Sequence, residues 1–104
     1  MNRPSDTNPQ AKADSIDDLV SNIRQARTAA DEADAIRKLH GYESAHGLTY
    51  TVQTTRAADG MVVQSPSVHG EPVVAHVTVF QGREVVRRFS FIPKDNANLA
   101  LLGS

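Results

Sequence analysis

The sequence predicts an α+β fold: a long N-terminal helix packed on a four-stranded, mainly antiparallel sheet, closed by a short C-terminal helix. Three patterns lead there. Ile16, Leu19, Val20, Ile23, Ala26 and Ala30 recur at the spacing of one helix face. Segments such as Leu48–Gln53 and Val73–Phe80 alternate apolar and polar residues, the mark of half-buried strands. Leu99 and Leu102 then fall where a closing helix would dock. The chain has 104 residues, the size of one domain. Residues 15–104 are assigned to that domain. Residues 1–14 are expected to be a flexible tail, because they hold two prolines and no large apolar residue after Met1.

Ser15-Ile16-Asp17-Asp18 reads as a helix start. The Ser15 hydroxyl can cap the first turn, and Asp18 stands at the third helical position as in a capping box. The stripe continues through Ala33, Ile36 and Leu39 with a small rotation, and Gly41 is a natural terminator. One continuous helix over 15–40 is therefore expected. Its weak point is Thr28–Asp31, where the inner face carries only alanine, and a break into two helices there is the alternative.

Residues 41–47 read as a connector, followed by the strand with Leu48, Tyr50 and Val52 on one face. Met61–Ser65 is expected to form a short second strand, and residues 65–72, with two prolines and a glycine, a loop. Strands at 73–80 and 84–92 follow. Their apolar sets are Val73, Ala75, Val77 and Val79, and Val85, Phe89 and Phe91, all odd-numbered. Pairing odd with odd keeps both sets on one face. A three-residue loop at Phe80-Gln81-Gly82, with a bulge at Gly82, satisfies this. The expected core is Leu19, Ile23, Tyr50, Val52, Val77, Val79, Phe89 and Phe91.

Composition excludes several classes. There is no cysteine, hence no disulfide, thiolate metal site or thiol nucleophile. No apolar run approaches the roughly 20 residues a membrane helix needs, and the N-terminus lacks the apolar core of a secretory signal. A soluble, cytoplasmic protein without membrane contact is the expectation. The net charge of −1 makes the chain as a whole no polycation.

Catalytic constellations are missing from the pattern. No serine lies in a nucleophile elbow, no glycine-rich phosphate loop exists, and the paired acids Asp17-Asp18 and Asp31-Glu32 suit a solvated helix face. Glu43-x-x-His46 has the spacing of a carboxylate–imidazole metal pair, but a lone pair makes no site. His40 is read as a cap on the helix C-terminus and His46 as a loop residue. No enzyme activity, metal or cofactor is expected.

Helix, antiparallel sheet and closing helix, with the Pro/His loop of "SPSVHGEPVVAHVTV" leading into a strand, loosely resemble the double-stranded RNA-binding domain over about residues 48–102. The resemblance implies contact with an RNA backbone from a lysine cluster opening the last helix. Here that position reads Pro93-Lys94-Asp95-Asn96, one lysine beside one acid, and the 61–65 strand is an addition. Nucleic-acid binding is thus the alternative reading.

The favoured reading is a small non-enzymatic module that binds protein, of adaptor or inhibitor type, such as phages and mobile elements carry. A second copy of the chain is one candidate partner. The outer sheet face, with Val62 or Val63, Val74, Thr78, Val86 and Ile92, holds more apolar material than a solvated face needs. Arg87 and Arg88 point to opposite faces, Arg87 toward the core rim and Arg88 outward near His76. His76, Arg88 and Phe80 at the hairpin tip are the expected binding residues: an aromatic and an arginine beside each other on rigid strands resemble an interface hot spot.

Overall fold

The computed structural model describes residues 15–103; the expected tail at 1–14 lies outside the described residues. The order of elements is α1 (Ile16–Gln25), α2 (Ala29–Ala45), β1 (Thr49–Arg56), β2 (Val73–Gln81), β3 (Glu84–Phe91) and α3 (Asn96–Gly103). The class is α+β as the sequence predicts, but with two N-terminal helices instead of one and three strands instead of four.

The Ser15 cap forms as read: its hydroxyl accepts from the Asp18 N–H at 3.3 Å, and the Asp18 carboxylate accepts from the Ser15 N–H at 3.5 Å. The helix then stops at Gln25. Ala26 takes an extended conformation, and Thr28 caps a new helix by accepting from the Asp31 N–H at 3.0 Å. The reason is geometric. A straight helix of 25 residues would run about 37 Å, while an eight-residue strand spans about 27 Å. Breaking at the alanine-only stretch lets Leu19, Val20 and Ile23 of α1 and Ile36 and Leu39 of α2 reach one core. Gly41 does not end α2, because Tyr42 and Glu43 beyond it still face the core. Gly47, at φ +67°, is the actual terminator, and Leu48 N–H returns to the Glu43 carbonyl at 2.8 Å.

The sheet order is β1-β2-β3, with both pairs antiparallel. The expected strand at 61–65 reduces to one isolated bridge, Thr55 to Val62. Arg56 secures the long connection after β1, donating to both Asp59 carboxylate oxygens at 3.1 and 3.0 Å and lying 3.4 Å from Glu71.

Odd does pair with odd along most of the hairpin, as Val77 with Phe89 and Ala75 with Phe91. The device differs from the expected loop. Gln81 pairs with Glu84, leaving a two-residue turn of Gly82 (φ +62°) and Arg83. Phe80 pairs with Val85 but Val79 with Arg87, so Val86 is an extra, unpaired residue. That bulge corrects the parity in mid-strand rather than at the tip. It also moves Val85 from the expected core face to the outer one, where it is 43% exposed.

The core therefore joins α1, α2 and α3 to a single sheet face: Leu19, Val20, Ile23, Ile36, Leu39, Ala75, Val77, Val79, Phe89, Phe91 and Leu102 are buried together. Tyr50 and Val52 of the expected core are half-buried at its margin. Arg87 faces this side, its Nε 3.1 Å from Asp17 Oδ1, an ion pair without hydrogen-bond alignment. The chain of α3 is fixed by Glu32, buried on α2, whose Oε1 accepts from the Lys94 N–H and from Asn98 Nδ2, each at 2.8 Å. No helix among the described residues is long and apolar enough to cross a membrane.

Candidate functional site

Two places in the fold present chemistry. The first is the outer face of the sheet, built by the even positions of β2. Strand alternation and the register put Val74, His76, Thr78 and Phe80 there, beside Thr49, Thr51, Gln53 and Thr55 of β1 and Val85, Arg88 and Ser90 of β3. His76, Arg88 and Phe80 thus share one face. Phe80 lies within β2 rather than in a loop, half-buried between Thr49 and Val85. Arg88 lies opposite Thr78 and is exposed. His76 is held across all three strands: its Nε2 is 2.8 Å from Thr55 Oγ1 and its Nδ1 2.9 Å from Ser90 Oγ. Each hydroxyl can donate or accept, so a neutral ring satisfies both bonds. Among the described residues none of the side chains on this face is acidic, and Val85, Val86, Val62 and the nearby Ile92 are exposed.

The second place was not assigned from the sequence. A cleft of about 710 Å³ opens between α2, β1 and α3, on the helical side of the sheet, lined by His40, Glu43, Leu48, Tyr50, Val52 and Leu102 among others. Glu43 is only 3% exposed. Its Oε1 lies 2.9 Å from His40 Nδ1, and its Oε2 is shielded from solvent without a hydrogen-bond partner among the described residues. The other buried glutamate, Glu32, has donors in place and explains itself structurally. Glu43 is half satisfied, which is costly for a buried carboxylate.

His40 Nε2 lies 3.0 Å from the Leu101 carbonyl, which can only accept. That nitrogen must therefore carry hydrogen. Nδ1 faces a carboxylate oxygen, so the pair needs one more proton between them, and an imidazolium supplies it. In keeping with this, the Glu43 hydrogen bond raises the His40 pKa above its ordinary value, against an opposing effect of burial. The His40 ring stacks on Tyr50 at 4.7 Å between centroids. Burial, helped by the Glu43 charge, pushes the Tyr50 hydroxyl pKa up.

The Glu43-x-x-His46 pair does not converge. Glu43 turns back one helical turn to His40, while His46 is exposed, with Nδ1 2.9 Å from the Tyr42 carbonyl and its ring stacked on Tyr42. His40 is no C-terminal cap either, since α2 continues past it. The signal that could have found this site is the His40-x-x-Glu43 spacing, equal to the one weighed between Glu43 and His46. Among the described residues no group of three His, Cys, Asp or Glu side chains could hold a metal ion. No protein-family model, curated protein or solved structure matches this chain.

Proposed function

We propose that the protein is a non-enzymatic binding module that takes a protein partner on the outer face of its sheet. One observation carries the reading: among the described residues no helix covers this face and no acid lies on it, although Val74, Phe80 and Val85 do, with Arg88 as a charged residue. An apolar surface with one cation fits a partner surface that is apolar and carries a carboxylate. His76, held to both neighbouring strands, gives the centre of the face a fixed geometry. The nucleic-acid alternative draws less support. The cation that would open its RNA-contacting helix, Lys94, has its ammonium 3.6 Å from buried Glu32.

The test compares the full chain with a Phe80→Ala, Arg88→Glu double variant as bait in the native cell extract. The reading expects a protein retained by the parent at low and moderate salt alike and lost by the variant, with the variant's melting transition unchanged. A partner that leaves steeply with salt indicates nucleic acid. A variant that retains the partner removes this face from consideration.

A further inference from the structure

The half-satisfied Glu43 is a buried charge for which the fold alone gives no account. From the geometry of the α2–β1–α3 cleft we propose that it is a binding site for a primary ammonium group on an alkyl stem, with Glu43 as counter-ion and His40 as the group that gives up a proton when the ligand arrives.

The ligand chemistry follows from the lining. Oε1 of Glu43 is engaged by His40, so one oxygen is left to accept. A single acceptor suits a point-charge ammonium better than a guanidinium, whose fork needs both oxygens. Leu48, Val52 and Leu102 offer apolar wall for a stem of a few methylenes. The Tyr50 ring, stacked on His40, adds an aromatic face of the kind that favours cations. Oε2 is out of reach of solvent, so the carboxylate must turn toward the opening for the ligand to reach it.

Charge balance supplies the coupling. Without ligand, the imidazolium of His40 neutralises Glu43. An ammonium brings a second positive charge beside one carboxylate, and the cheaper arrangement releases the Nδ1 proton to solvent. The net charge of the site is then unchanged: one proton leaves and one ammonium enters. The remaining N–H groups of the ammonium can serve the bared Nδ1, while Nε2–H keeps its bond to the Leu101 carbonyl. The titratable groups around the pair are Glu43 on α2 and Tyr50 on β1; α3 contributes no titratable side chain, only that carbonyl. This inference is independent of the sheet-face reading and lies on the opposite side of the sheet.

The experiment is a titration of the full chain with n-butylammonium chloride, followed by nuclear magnetic resonance of backbone amides and of the His40 ring. It is run at about pH 6 and pH 8.5, against n-butanol and against sodium chloride at equal ionic strength. The proposal expects saturable shifts at Tyr50 and Leu102 with the amine only. The affinity should be higher at the higher pH, with a slope approaching tenfold per pH unit while His40 is protonated. A His40→Gln variant should bind equally at both pH values, and Glu43→Gln should lose binding. Equal response to n-butanol, equal affinity of the parent at both pH values, or binding retained by Glu43→Gln overturns the proposal. An Nα-acetyl-lysine methylamide arm separates two sources of the ammonium. Tighter binding than n-butylammonium points to a lysine side chain of a protein, and weaker binding to a free amine.

Discussion

Raising the pH from about 6 to about 9 should destabilise this protein through one histidine. His40 donates from both ring nitrogens, to Glu43 Oε1 at 2.9 Å and to the Leu101 carbonyl at 3.0 Å. Its folded-state pKa is raised above 6.5 by the Glu43 bond, so the protonated ring favours the folded state. The stability it contributes is complete below the unfolded pKa and is lost as pH rises through the folded one. A hydrogen bond to a charged group is worth about 1.5–3 kcal/mol. The side chain is 25% exposed, which places the expected loss near the lower end, about 1.5–2 kcal/mol. The loss divides two ways. A neutral ring hydrogenated at Nε2 keeps α3 tethered and leaves Glu43 with no donor. One hydrogenated at Nδ1 keeps Glu43 and releases Leu101. Urea denaturation at several pH values measures the effect, as a midpoint lowered by about 1 M. A His40→Gln variant isolates it, because the difference from the parent should shrink as pH rises. The carboxyl of Asp59, held low by Arg56, acts only in acid and does not enter this window. Stability that increases between pH 6 and 9, or an equal loss in His40→Gln, would refute the assignment.

Other perturbations test the packing. Phe89→Ala should cost about 3–5 kcal/mol in denaturant titration, since Phe89 is buried and stacked on Phe91 at 6.0 Å; a loss below about 1 kcal/mol contradicts the face assignment. Glu32→Ala leaves the Lys94 N–H and one N–H of Asn98 Nδ2 without their acceptor, the other Asn98 N–H keeping the Ala29 carbonyl, and should cost about 1–3 kcal/mol for each lost donor. Lys94→Ala takes the ammonium 3.6 Å from Oε2 of Glu32, a carboxylate only 1% exposed, and should cost about 1–3 kcal/mol, because the buried charge then loses its counter-ion. Deleting Val86 turns the bulged hairpin into a regular one with Val79 still opposite Arg87. The deletion should lower stability by less than about 1 kcal/mol, and a collapse of the melting transition would show the bulge to be required.

The legible parts of this fold were those set by local chemistry. The Ser15 capping box and the alternation of Val73–Val79 depend on residues within a few positions of one another, and the sequence carries them outright. So does the parity that puts Val77 and Phe89 on one face, because a side chain on the wrong face would expose a whole apolar set; the expected loop would have set Val85 opposite Val77, where the structure sets Phe89. The sites of His76 and Arg88 on one outer face followed from the same alternation. What escaped was decided by distance. Whether α1 and α2 form one helix depends on the length of the sheet they cover; the alanine-only stretch at Thr28–Asp31 marked where a break could fall, but Thr28 could cap or continue with equal local sense. The bulge at Val86 and the loop at Phe80–Gly82 satisfy the same parity, and only pairing across the strands chooses between them. Glu43 had two histidines at three residues' separation, His40 and His46, and helical spacing alone could not separate them. The Leu101 carbonyl, 61 residues from His40, made the choice by fixing the ring where Glu43 can meet it. Short-range order is written in neighbouring residues, whereas burial and the partner of a charge are settled by segments that meet only after the chain has closed.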